Sequence, residues 1–121
     1  MEQEIIRGSV GVTKDTLNFL KTLVYDKNNI SEDRPFESIT EAFRFSFSLG
    51  YSLDIRQKEK AVAGNIAPRQ FNVDDYETIL RQICIQDGIS LGALCSEYGE
   101  AGADLIIKKI KSGGTVLDFF N

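Results

Sequence analysis

Residues 38–53, Ser-Ile-Thr-Glu-Ala-Phe-Arg-Phe-Ser-Phe-Ser-Leu-Gly-Tyr-Ser-Leu, decide the predicted fold. Ser38 followed by Glu41 is a capping box, so we expect a helix to begin here. At a helical period the polar positions fall in one narrow stripe and the rest of the surface is mainly apolar. The stripe consists of Glu41, Arg44, Ser48 and Ser52. Such a helix is buried on most sides, and the rest of the chain is expected to pack around it.

Helical patterns occur on both sides of this stretch. The three further helices are predicted from Thr13 to about Tyr25, from Asn72 to Gly88, and from Ser90 to about Lys111. Residues 4–12 alternate weakly and predict a short strand, and an extended segment within 60–71 is left open. The predicted fold is mostly α: a compact four-helix domain around the buried helix 38–53, with a minor β contribution near the N-terminus. Residues 1–121 are expected to form one domain.

Two glycines interrupt the pattern of the last predicted helix. Gly99 and Gly102 each cost about 1 kcal/mol relative to alanine in a helix interior. They therefore predict either the close approach of another backbone or a break into two shorter helices. After this helix, Val116 to Phe120 is apolar and is expected to pack on the core or on a partner chain.

The composition excludes several classes of protein. The hydrophobic fraction of 42% and the charged fraction of 26% are ordinary for a globular domain. The net charge of −4 gives no overall basic field for non-specific nucleic-acid binding. The chain begins Met-Glu-Gln-Glu and has no apolar run of membrane-spanning length, so we expect a cytoplasmic protein with no membrane partner.

Residues suited to catalysis or metal binding are scarce. The chain has no histidine and only two cysteines, too few for the usual four ligands of a structural zinc site. Cys84 and Cys95 lie on the apolar faces of their predicted helices, as expected of reduced core cysteines. The predicted inner face that includes Cys84 consists of Tyr76, Ile79, Leu80, Ile83 and Cys84. No phosphate-binding loop or nucleophile motif is present. We predict no enzyme and no cofactor, and a small enzyme acting through a lone carboxylate or thiol is the least favoured alternative.

One segment is clearly basic. Between Arg56 and Arg69 the cations are Arg56, Lys58, Lys60 and Arg69, against Glu59 alone. They are candidates for phosphate contacts beside the helix 38–53, although an ordinary solvated loop would have the same composition. With Glu41 and Arg44 they form the predicted surface for nucleic acid or a partner.

The order of elements in the first half resembles the ribbon-helix-helix arrangement of dimeric DNA-binding regulators. A short strand and a capped helix precede a helix that opens with Ser-Ile-Thr-Glu. The resemblance implies that the strand pairs with a second copy in the major groove of DNA, with Arg7 and Ser9 facing bases. Ser38 and Thr40 would then lie near the phosphates.

A second resemblance covers most of the chain. Phe43-Arg-Phe-Ser-Phe-Ser-Leu-Gly-Tyr51 followed by Arg56, and later Glu97-Tyr98-Gly99-Glu-Ala-Gly102, resemble the small accessory proteins of bacterial DNA phosphorothioation (Dnd) systems. This chain has Gly99 where the family pattern usually has alanine. The resemblance implies a context of DNA modification or phage defence, and no catalytic residue is carried over from it. We predict a non-catalytic accessory protein of such a DNA-modification, restriction or phage-defence system. Its candidate partners are DNA, proteins of a modification or restriction complex, and a second copy of the chain.

Overall fold

The computed structural model describes residues 10–25, 34–58, 62–66 and 77–119. In chain order the elements are β1 (Val10–Thr13), α1 (Lys14–Lys21), α2 (Ile39–Leu53), β2 (Val62–Ile66), α3 (Glu77–Asp87) and α4 (Leu91–Lys111), followed by a 3-10 helix (Val116–Phe119). The mostly helical fold with four helices and a minor β contribution is as predicted. Residues 4–9 of the predicted strand, and residues 72–76 at the predicted start of α3, lie outside the described ranges.

The helix α2 begins where the capping box predicts. The Ser38 hydroxyl accepts a hydrogen bond from the Glu41 amide at 3.1 Å. All four residues of the predicted polar stripe are exposed, and the buried residues are Ala42, Phe43, Ser46, Phe47 and Gly50. The helix ends in a left-handed turn at Asp54, and the Ile55 amide donates to the Gly50 carbonyl at 3.0 Å.

The α2–α4 crossing is the largest interface between elements and depends on three glycines. A Cβ atom on Gly102 would lie 2.7 Å from the carbonyl carbon of Ser46, and one on Gly50 would lie 2.9 Å from that of Tyr98. A Cβ atom on Gly99 would overlap the buried ring of Phe43. Gly99 and Gly102 therefore permit a close approach, as predicted, and α4 continues through both without a break.

The helix α4 lies at the centre of the domain. It contacts α1, α2, α3, β1 and the 3-10 helix, and its largest contact is with the predicted central helix, α2. The reason is its length of 21 residues, which lets different parts of one helix pack against different elements. Eleven of its residues are buried, against five of the fifteen in α2.

The two strands form an antiparallel pair in which Val10 lies opposite Ile66 and Val12 opposite Gly64. Val10 and Val12 are buried in the core. The other edge of β1 contacts α4: the Ser96 hydroxyl donates to the Gly11 carbonyl at 2.6 Å. Since neighbouring residues of a strand direct their main-chain groups to opposite edges, β1 is held between β2 and α4.

The helices α3 and α4 form a hairpin. Gly88 has a φ of 69° and ends α3, as predicted, and the Ser90 hydroxyl accepts from the Ala93 amide at 3.1 Å to cap α4. Cys84 and Cys95 are free thiols buried on the facing sides of this hairpin. The tail also packs as expected over its described part, where Val116 is buried and Phe119 lies against the core.

Candidate functional site

A buried carboxylate holds the start of α1. Glu100 of α4 is only 7% exposed. Its Oε2 accepts from the Thr13 amide at 2.9 Å, and its Oε1 accepts from the hydroxyls of Thr13 at 3.0 Å and Thr16 at 2.7 Å. Thr13 also caps α1, because its hydroxyl accepts from the Thr16 amide at 3.3 Å. A negative charge at a helix N-terminus is favourable, so this carboxylate joins β1 and α1 to α4.

Glu100 also lines an open cleft of about 500 Å³. The cleft is lined by Thr13, Lys14, Asp15, Thr16, Gln57, Glu100, Asp104, Ile107 and Lys111. Asp104 forms an ion pair with Lys108 at 2.9 Å. Both oxygens of Glu100 already accept hydrogen bonds within the chain, from Thr13 and Thr16.

Arg56, the first cation of the predicted basic segment, lies in an internal ion-pair network. Its Nη1 is 2.6 Å from Oδ2 of Asp87, and its Nη2 is 2.8 Å from Oε1 of Glu97. The guanidinium carbon is 5.9 Å from the centre of the Tyr98 ring. Burial alone would lower the pKa of Arg56, but hydrogen bonds to Asp87 and Glu97 raise it above its ordinary value. Two carboxylates of the same chain therefore already offset the positive charge of Arg56.

Of the other predicted binding residues, the structure describes Glu41, Arg44 and Lys58. Glu41 and Arg44 are exposed on α2, and Arg44 precedes the end of that helix by about 14 Å. Lys58 is exposed in the loop after Arg56, whereas Lys60 and Arg69 lie outside the described ranges. Over the part of the surface that the structure describes, the predicted residues are thus spread along α2 and the loop that follows it.

The two thiols are poorly suited to chemistry. Burial raises the pKa of Cys95 to about 12, with a further contribution from Cys84. Burial also raises the pKa of Cys84, although Arg56 opposes the shift. Protonated buried thiols are weak nucleophiles and weak metal ligands. Within the described ranges, no group of three acidic or cysteine residues could hold a metal ion.

The helix α3 exposes large apolar side chains that the periodicity does not predict. Leu80 and Cys84 are buried and Ile83 is half-buried, as expected. Ile79, predicted to lie on the same inner face, is instead 54% exposed, and Ile85 is 73% exposed. The difference arises because α3 packs mainly on α4 and so buries only a narrow stripe. An apolar stripe in sequence does not reveal how wide the covered face is.

Comparisons with protein-family models, with curated proteins and with solved structures returned no match to this chain. No helix in the described part of the chain is both long enough and apolar enough to cross a membrane.

Proposed function

We propose that this chain is a non-catalytic accessory protein of a bacterial DNA-modification and phage-defence system, and that it acts by binding another protein of that system. The observation that carries the proposal is the exposure of Ile79 and Ile85 on α3. The two side chains lie six residues apart, about 120° around the helix, so each would meet a partner on its own side of α3, where a large buried side chain can supply much of the binding energy. The defence context rests on the resemblance to Dnd accessory proteins.

Two further observations support this form of the proposal. Glu100 accepts hydrogen bonds that hold the start of α1, and the thiols of Cys84 and Cys95 are buried in the core. These contacts favour a non-catalytic role. Arg56 already donates to two carboxylates, Asp87 and Glu97, and these offset the positive charge that it would present to a phosphate. Direct DNA binding through the basic segment is therefore the less favoured mode of action.

The ribbon-helix-helix alternative also receives less support. A dimeric regulator of that class pairs its first strand with the same strand of a second copy. Here β1 pairs with β2 of its own chain, and its other edge contacts Ser96 and Glu100 of α4. Pairing with a second copy through residues 10–13 would require these contacts to break.

The test co-expresses the chain with the proteins encoded beside it and measures complex formation by size-exclusion chromatography and titration. The doubly substituted variant Ile79→Asp with Ile85→Asp should bind at least about tenfold more weakly. The matched control, Gln82→Asp with Gln86→Asp, adds the same charge to exposed positions of the same helix and should bind as the wild type does. If both variants bind as tightly as the wild type does, Ile79 and Ile85 of α3 are not the contact.

A second measurement distinguishes DNA binding. Fluorescence anisotropy of a labelled duplex, with and without phosphorothioate linkages, is followed at two salt concentrations. We expect no binding that weakens steeply with salt. Salt-sensitive binding that is lost on replacing Lys58 and Lys60 with alanine would instead establish the basic segment as the functional surface.

A further inference from the structure

The loop after α2 is fixed so that Arg56 reaches both helices of the α3–α4 hairpin. On one side of Arg56, the Ile55 amide donates to the Gly50 carbonyl at the end of α2. On the other side, the Gln57 amide donates to the Glu97 carbonyl of α4 at 3.0 Å. These two main-chain hydrogen bonds fix the residues on either side of Arg56, and so they limit the positions that its guanidinium can take.

The two carboxylates that Arg56 binds belong to different helices. Glu97 lies in α4, in the central part of the fold, and its side chain is 14% exposed. Asp87 is the last residue of α3, and its side chain is 36% exposed. Arg56 therefore connects the C-terminal end of α3 to the end of α2 and to α4.

The apolar packing of α3 is limited within the described ranges. Its fully buried side chains are Leu80 and Cys84, whereas Ile79 and Ile85 are largely exposed. Its packing is mainly on α4, and that contact is far smaller than the one between α2 and α4. A helix with so little buried apolar surface lies at the low end of the local stability of a domain.

We propose that Arg56 is a latch that holds α3 on the α2–α4 core, and that its release lets α3 open while the rest of the domain stays folded. The latch is electrostatic, because two anions from different helices share one cation. The partial exposure of Arg56 and Asp87 makes it sensitive to salt. The basic segment thus begins with a residue that controls the conformation of a helix.

Hydrogen exchange of the full chain, followed peptide by peptide, tests the latch. In Arg56→Ala, amides of residues 80–87 should exchange about fivefold faster, while those of 94–106 in α4 keep their wild-type rates. Asp87→Asn should give the same local pattern. The matched control is Lys58→Ala, which removes a cation from the same loop and should leave α3 unchanged.

Two results would overturn the latch. One is an unchanged exchange rate in α3 of Arg56→Ala; the other is a uniform increase across α3 and α4, which would make Arg56 an ordinary contributor to global stability. If Arg56→Ala fails to fold, the wild type is measured at low salt and at 1 M NaCl, where the Debye length falls to about 3 Å. Selective acceleration of α3 at high salt then supports the latch, and an equal response of α3 and α4 contradicts it.

Discussion

Substitution of Gly102 by alanine tests the α2–α4 crossing on which the whole fold depends. The added methyl group would overlap the Ser46 carbonyl and would lie 3.2 Å from the Gly50 amide nitrogen. Both obstacles are backbone atoms, so no side-chain rotation can relieve the overlap and the two helices must separate. Overpacking of this kind costs up to about 3 kcal/mol, and the higher helix propensity of alanine returns about 1 kcal/mol. We expect a net loss of about 2 kcal/mol in the free energy of unfolding.

The assay is urea unfolding followed by circular dichroism, with thermal unfolding as a second measure, in which a loss of this size corresponds to roughly 8 °C. Gly64→Ala is the matched control, because a Cβ atom there would only meet Leu17 at 3.6 Å, an ordinary contact. It should be neutral or slightly stabilising. If Gly102→Ala proved as stable as the wild type, the close crossing of α2 and α4 would be wrong.

Three further predictions concern the core and the buried carboxylate. Glu100→Gln should lower the free energy of unfolding by about 2 kcal/mol, because an amide nitrogen would face hydrogen-bond donors. Asp104→Asn on the same cleft is the control and should change the free energy of unfolding by less than about 0.5 kcal/mol. Urea unfolding compares the two variants. Gly99→Ala should destabilise the wild type by about 2 kcal/mol. In a Phe43→Leu background the same substitution should cost at least about 1 kcal/mol less, because the shorter side chain leaves room for the methyl group. A double-mutant cycle measures this difference. Burial raises the pKa of Cys95 to about 12 from an ordinary 9.0, so the unfolded chain loses this proton first as the pH rises. The contribution of the thiol to stability is therefore complete below pH 9 and is lost between pH 9 and about 12; Cys95→Ala should flatten this decline in urea unfolding measured as a function of pH, and an identical slope would contradict the assignment.

The sequence predicts the features that depend on near neighbours in the chain. The caps at Thr13, Ser38 and Ser90 involve residues three positions apart, and the polar stripe of α2 follows from helical periodicity alone. The role of Glu100 cannot be predicted in this way, because its partners, Thr13 and Thr16, are more than 80 residues away in the chain. An acidic residue within an apolar helix is the only local signal of its role, and that signal does not identify the donors.

Arg56 likewise has partners that its neighbours in the sequence do not reveal. In the sequence it is the first of several cations in a polar loop, and a net count of charges predicts a surface for phosphates. The structure pairs it with Asp87 and Glu97, which lie 31 and 41 residues further along the chain. A count of charges along the chain therefore does not show that the first of these cations lies between two carboxylates of other helices.

Several of the residues on which the proposed resemblance to Dnd accessory proteins rests determine packing in this chain. Phe43, Gly50, Gly99 and Gly102 form the α2–α4 crossing, and the acidic residues of the later motif bind inside the molecule, Glu97 to Arg56 and Glu100 to α1. Gly99 has a physical reason here, because the Phe43 ring occupies the space that a methyl group would need. In this chain the two motifs therefore specify an architecture, the α2–α4 crossing, and not a ligand site. Under the proposed function, the residues that recognise a partner should lie outside these motifs, at exposed positions such as Ile79 and Ile85 of α3, where substitution leaves the crossing intact.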